Sequence, residues 1–149
     1  MWMRVRVTHC EQKKMINKYR NKKIGSHDSK TESRFSKVLR MALPECSIVE
    51  KETIELIPKF KSNGQTIRAA KLIPDFTIYY QGEAIAIIDV KGFQTDKSKL
   101  QFKLLRYLMH IANNPIYIDT PVTAADRLKV ITTIKEILTL LKKNNGKAS

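Results

Sequence analysis

Apolar positions recur at helical spacing in three stretches of this chain and follow strand patterns between them. From Thr31 to Leu43, the residues Phe35, Val38, Leu39, Ala42 and Leu43 share one arc, and Pro44 stops the predicted helix. Ser47 to Phe60 alternates and carries β-branched residues, which predicts a strand. Ser62-Asn63-Gly64-Gln65 then reads as a hairpin turn, because Asn-Gly tolerates positive φ. Ile67 to Tyr80 forms a second strand region, interrupted near Pro74, and Gln81-Gly82 marks another tight turn. Glu83 to Val90 is a third strand whose apolar run predicts a central, buried place.

The helix from Thr95 to Ala112 is the best defined. Leu100, Leu104, Leu105, Leu108, Met109 and Ile111 are its predicted buried face, with Lys99, Lys103, Arg106 and His110 lined up opposite. Asn114-Pro115 ends it, Ile116 to Asp119 is a short strand, and Thr123-Ala124-Ala125-Asp126 resembles a capping box. That box opens a last helix running to about Leu141. Residues 1–28 resist assignment, although Arg4 to Thr8 alternates like a short strand. The order α-β-β-β-α-β-α predicts an α/β fold with a mixed central sheet flanked by helices. Its hairpins make antiparallel pairs, and the helical crossover permits a parallel one.

Composition narrows the class. At 149 residues, 42% hydrophobic and 28% charged, the chain suits one soluble domain with a real core. No stretch approaches the ~20 apolar residues of a membrane span, and Met-Trp-Met-Arg lacks a signal-peptide apolar region. No membrane association or export is expected, and the expected location is the cytoplasm. Cys10 and Cys46 lack any Cys-x-x-Cys pattern and are read as reduced thiols; His9, His27 and His110 show no ligand spacing. The net charge of +14 points to a polyanionic partner, nucleic acid. The charge gathers at both ends, giving a basic N-terminal arm at 1–29, a domain at 30–142 and a basic tail at 143–149. Such runs are usually solvated, but against a duplex they add strong, salt-sensitive affinity.

Asp75, in Ile73-Pro74-Asp75, and Asp89-Val90-Lys91-Gly92 supply the candidate chemistry. Acid-x-Lys also occurs as Glu11-Gln12-Lys13 and Asp28-Ser29-Lys30, so the tripeptide counts only in context. Strands two and three are expected to pair side by side. Asp75 and Asp89 are not symmetric about the turn between them, and the irregularity at Pro74 is expected to bring them level. Asp89 and Lys91 point to one face of their strand, which leaves the Val90 carbonyl as a neutral ligand. Two carboxylates and a carbonyl suit Mg²⁺, which takes oxygen ligands and keeps several waters. A metal there would polarise a scissile phosphate and lower the pKa of its water. Lys91 could orient that water or stabilise phosphoryl charge, but it could act as a base only if its pKa fell far below ~10.4.

Glu32 is the third acid. It lies between Leu39 and Leu43 on the helical wheel, inside the apolar arc and beside Ser36. A carboxylate aimed at the sheet needs a cation or metal; alternatively, Ser29-x-x-Glu32 is a capping box. Asp89 and Lys91 can equally form a structural ion pair at a strand end. Gly92 lets the chain leave the sheet. Lys99, Lys103 and Arg106 form either a solvated helix face or a track for a phosphate backbone. Gln101 is the one polar residue near the buried arc, from which it could reach the site.

Together, Glu32 on the first helix, Pro74-Asp75 on the second strand and Asp89-Val90-Lys91 on the third resemble the PD-(D/E)xK nuclease superfamily. More narrowly, Ile57-Pro58-Lys59-Phe60, Ile73-Pro74-Asp75-Phe76 and Asp89-Val90-Lys91-Gly92-Phe93-Gln94-Thr95 resemble a family of small phage and prophage proteins without an assigned function. Size, basicity and helix-borne Glu32 are also similar to phage endonuclease I, a Holliday junction resolvase. The match covers about residues 30–110. The resemblance implies a restriction-endonuclease-like α-β-β-β-α-β core and Mg²⁺-dependent DNA cleavage, with Mn²⁺ able to substitute. It implies Asp75 and Asp89 as metal ligands, Glu32 as a further ligand and Lys91 as the catalytic cation. It also implies a phage- or prophage-encoded protein of the bacterial cytoplasm, and a homodimer if the substrate is a four-way junction. With no separate sequence-reading domain in view, the expected substrate is branched DNA. Two rival expectations remain: another phage nuclease, for end-processing or host-DNA degradation, or a basic nucleic-acid-binding protein whose acids are structural.

Overall fold

Three helices and eight strands form within residues 26–90 and 94–147, which the computed structural model describes, with side chains from 30 to 90 and 94 to 146. Helix α1 (Ser26–Ala42) buries Phe35, Leu39 and Leu43, as its apolar arc requires, while Val38 at the arc's margin stays exposed. The helix begins three residues before Ser29, so Ser29 is interior rather than a cap, and the capping-box role expected for Glu32 is set aside. Arg4 to Thr8, His9, Cys10, Lys91 and Gly92 lie outside the described residues, as do most of the expected arm and the end of the tail. Residues 26–29 and 143–147 belong to helices.

The middle of the chain is one long antiparallel ribbon. Its outgoing side is β1 (Ser47–Glu50), β2 (Ile54–Ile57) and β3 (Phe60–Ser62); its return is β4 (Gln65–Ile67), β5 (Ala70–Leu72) and β6 (Phe76–Tyr80). β1 pairs β6 with Ile48 opposite Ile78, and β2 pairs β5 with Ile54 opposite Leu72, in one continuous register. A bulge between Glu55 and Ile57 shifts the register by one before β3 pairs β4 at the tip. Asn63 and Gly64 close that tip with φ of 48° and 75°, the doubly positive turn that matches strand twist. The two long strands expected from the sequence are thus each divided. Lys51, with φ of 53°, turns the chain out of the sheet after β1, and Pro74, which has no N–H for the ladder, interrupts the return one residue before Asp75, whose carbonyl accepts from the Lys51 N–H.

β7 (Glu83–Ile88) pairs β6 across the Gln81-Gly82 turn, where φ is 50° and 81°. β8 (Tyr117–Asp119) joins β7 in parallel after the crossover helix α2 (Asp96–Ile111), and α3 (Ala124–Lys147) closes the chain. The central sheet has the order β1-β6-β7-β8, antiparallel except at β7/β8. This is a mixed α/β fold with a mixed sheet flanked by helices. Thr95 caps α2, and Thr123 and Asp126 form the expected reciprocal box at α3 through bonds of 3.1 and 2.9 Å.

One sheet face packs against α1 and α3 through Phe35, Leu39, Ile78, Ile88, Val130 and Ile134. The other packs α2 and the β2/β5 ribbon around Ile54, Leu72, Ile87, Phe102, Leu105 and Met109. Each such side chain, fully buried, contributes about 1.5–3 kcal/mol. The α2 face differs from the expected one: Phe102 is at its centre, while Leu100 and Ile111 are 67% and 54% exposed. Each of those two stands two residues from a buried one (Phe102 or Met109), about 200° around the axis, and so faces water. No helix among the described residues is long and apolar enough to cross a membrane.

Candidate functional site

The register of β6 and β7 decides where the acids meet. A two-residue turn at Gln81-Gly82 pairs Tyr80 with Glu83 and Tyr79 with Ala84, and, carried onward unchanged, would put Asp75 opposite Ile88. Instead β7 bulges at Ile85, so that Ile78 faces Ala86 and Phe76 faces Ile88. Continued one rung past this last pair, the same register would bring Asp75 level with Asp89. The bulge, rather than Pro74, would make the two acids level.

Both carboxylates are buried, Asp75 at 1% and Asp89 at 2% exposure, and charges so placed require compensation. Asp75 Oδ2 accepts a 2.7 Å hydrogen bond from the Val90 N–H, which ties the end of β7 to the break in the ribbon. Its Oδ1 accepts from the Lys51 ammonium, and Glu32 Oε2 lies 3.2 Å from the same nitrogen. The Lys51 N–H also donates to the Asp75 carbonyl at 3.1 Å. Lys51 is therefore anchored at both ends, by its backbone and by two acids from different elements. Burial pulls its pKa down, but the bonds to Asp75 and Glu32 outweigh this and hold it above the usual lysine value. Left-handed φ at a residue with a long side chain costs about 1–2 kcal/mol, strain of the kind that clusters at functional sites.

Glu32, Lys51 and Asp75 line a cleft of about 320 Å³ between α1 and the ribbon, together with Ser36, Arg40 and Glu50. The Ser36 hydroxyl donates to Glu50 Oε1, and Arg40 Nη2 reaches the same oxygen at 3.1 Å. Glu50 is held below the usual carboxylate range, first by Ser36 and then by Arg40, against the opposing effect of burial. The cleft thus holds three carboxylates, two sharing the Lys51 ammonium and the third held by Ser36 and Arg40.

Of the expected site residues, Glu32 and Asp75 meet at Lys51, and Asp89 follows directly after β7, next to the last β6/β7 pair. Val90 lies two residues past the end of β7 with its side chain buried, and Lys91 lies outside the described residues. Among the described residues no group of three His, Cys, Asp or Glu side chains is close enough to hold a metal ion jointly. Gln101 does not reach the site: its amide donates to the Lys71 carbonyl at 2.9 Å and ties α2 to β5. Lys99, Lys103, Arg106 and His110 are exposed on α2, across the sheet from Glu32. Arg106 also donates to the Ile118 carbonyl at 3.2 Å, and Lys99 lies 3.6 Å from Asp96. Asp119, whose carbonyl accepts from the Asp89 N–H, has its carboxylate engaged by the Tyr117 hydroxyl and the Thr120 N–H. Burial, and then that bond to Asp119, push the Tyr117 hydroxyl up to about 12.

Lys51 and Glu50 were missed in the sequence. The signal was present as Glu50-Lys51-Glu52-Thr53, four polar residues that stop the alternation in mid-strand where a half-buried strand should continue.

Fold and cleft define a mixed α/β protein with an acidic, lysine-bridged cleft where a β-ribbon breaks at the edge of its sheet. The chain belongs to the DUF1064 family, described as a protein of unknown function, whose profile matches residues 16–130. No curated protein and no solved structure matches it.

Proposed function

We propose that the chain is a metal-dependent DNA endonuclease that hydrolyses phosphodiester bonds, selective for branched DNA in the manner of phage Holliday junction resolvases. The observation that carries this reading is the convergence of Glu32 and Asp75 on one cation, with Asp89 one residue past the last β6/β7 pair, in a chain of net charge +14. The donors fit Mg²⁺. Glu32 and Asp75 supply hard oxygens and already share a cation in the Lys51 ammonium, and Mg²⁺ commonly needs only one or two carboxylates beside substrate phosphates. Asp75 and Glu32, which meet at Lys51, would hold the ion together with a substrate phosphate, and Asp89 and the Val90 carbonyl are proposed as further ligands that would have to move toward it; Mn²⁺ would be a substitute. When bound, it would supply Lewis-acid polarisation of the phosphate and a water of lowered pKa.

The chain's own residues would do the rest. The Val90 N–H orients the Asp75 carboxylate by its 2.7 Å bond. Lys51 offsets the charge of the acid pair while no other cation is there, and its ammonium is within reach of a phosphate entering the cleft. Lys91 is proposed as the cation stabilising charge on the phosphoryl oxygens. Lys99, Lys103 and Arg106 are proposed as phosphate contacts of flanking DNA. A four-way junction would require two sites and hence a homodimer; the bacterial cytoplasm, with a phage or prophage origin, is the setting this reading implies. End-processing or host-DNA degradation by the same chemistry is the nearest variant.

A second reading draws on Lys51 itself. Two acids neutralised by a lysine also make a structural ion-pair network, in which case the protein is a basic nucleic-acid-binding module. The purified protein and its Asp89→Ala variant, incubated with branched and linear DNA in Mg²⁺, Mn²⁺ or chelator, separate the two. Products that need the metal and vanish in the variant are expected. Binding without cutting under every condition would leave the module.

A further inference from the structure

The tip of the ribbon takes no part in the cleft, and little in folding. Every residue from Ile57 to Arg68 is exposed, although β3 and β4 are regularly paired. An isolated two-stranded ribbon is at best marginally stable, and this one has no buried face. Its charge is one-sided in two senses. Between Pro58 and Pro74 the sequence has Lys59, Lys61, Arg68 and Lys71 and no acidic residue. Within the ribbon, Lys61 pairs Thr66, and Phe60 pairs Ile67. Alternation puts Lys61 and Thr66 on one face, and the same register carried one rung further adds Lys59 and Arg68 to that face. Phe60 and Ile67 occupy the other, an aromatic–β-branched pair that holds the strands together by about 0.2–1 kcal/mol. Among the described residues no acid forms a salt bridge with Lys59, Lys61 or Arg68.

We infer that this tip is a DNA-binding arm, its Lys59–Lys61–Arg68 face contacting the phosphates of duplex DNA beside the strand held at the acid cleft. The inference rests on the nuclease reading for its substrate and adds the element that grips it. A two-stranded ribbon fits the major groove, which is about 12 Å wide. Reach agrees as well: Thr66 precedes Asp75 by roughly nine residues, so at about 3.3 Å each the basic face is within ~30 Å of the cleft, under one turn of DNA. Charge selects DNA over a second copy of this chain, since another molecule of net charge +14 would be repelled by this face.

The test is the full-length triple variant Lys59→Ala, Lys61→Ala, Arg68→Ala. Binding to labelled duplex and four-way junction is followed by anisotropy over a salt series in chelator, where no cutting is required. The expected result is affinity reduced about tenfold or more near 0.15 M salt, with the slope of log K against log salt flatter by about 2–3. Exposed side chains leave the melting temperature unchanged, and Lys61→Glu provides a single-site repeat with the same direction. Unchanged affinity and slope would overturn the inference, as would a variant altered only in self-association. Arm-dependent binding by a chain that never cuts would keep the arm and sink the nuclease; cutting with arm-independent binding would do the reverse.

Discussion

The break and the tip of one ribbon use positive charge in opposite ways. At the break a single lysine is fixed by two carboxylates, one of them almost completely buried. At the tip three cations stand exposed along one face. Buried charge tolerates no casual partner, so each group at the break is set by geometry and is individually hard to replace. Exposed cations act through a screened field, so those at the tip add up and stand in for one another. In the proposed nuclease reading, selective chemistry would fall to the break and salt-dependent grip to the tip.

Breaking that contrast is easiest at Asp75. Asp75→Asn keeps the shape and an acceptor for the Val90 N–H, but removes the charge shared with Lys51 and, in the nuclease reading, with the metal. DNA cleavage is expected to fall about a hundredfold or more, with the thermal melt little changed. Asp75→Ala should lose the same activity and also about 1–3 kcal/mol of stability, because it strands a buried N–H. Wild-type cutting by the Asn variant would remove the cleft from the chemistry altogether.

The acids were legible in the sequence because their neighbours make them stand out. Asp75 follows a proline in a strand region, Asp89 ends an apolar run, and Glu32 interrupts an apolar arc. The three helices and both tight turns followed from periodicity and from Asn-Gly and Gln-Gly. What sequence alone could not supply was register. A bulge at Ile85 has no composition of its own, yet it alone would bring Asp75 level with Asp89. Phe102 was hidden because a leucine-rich helix offers several overlapping arcs, and only the β2/β5 ribbon above it selects one. Lys51 was hidden because its role arises from partners 19 and 24 positions away in the chain.

A smaller effect is expected at Lys51, where the comparison can be sharpened without DNA. If the ammonium occupies the place a divalent ion would take, the two compete for Glu32 and Asp75. Lys51→Gly suits the left-handed backbone and empties the cleft of its charge. Mn²⁺ affinity, measured by calorimetry, is expected to tighten from several-fold to about tenfold, the limited size reflecting a lysine half in solvent. Lys51→Arg, which keeps the charge, should bind Mn²⁺ much as the wild type does. Weaker binding by the glycine variant would mean that Lys51 holds the acids in place rather than competing for them.

The smallest effect is expected at Ser36, on the cleft wall. Its hydroxyl is the main cause of the lowered Glu50 pKa, ahead of Arg40. A carboxyl whose folded pKa lies below its unfolded one adds stability above the unfolded value, near 4.3 for Glu, and loses it as pH falls through the folded value. Ser36→Ala should therefore raise the Glu50 pKa, read from its carboxyl carbon by NMR, and cost stability at neutral pH. Half exposure of Glu50 limits that cost to below about 1 kcal/mol. Alanine also favours a helix more than serine does, which offsets the loss equally at every pH. Only the pH-dependent part is diagnostic, so the gap between wild type and variant must shrink as the solution is taken below about pH 4. A gap of constant size from neutral to acid would show that Ser36 acts through the helix alone and that Glu50 owes its low pKa to Arg40.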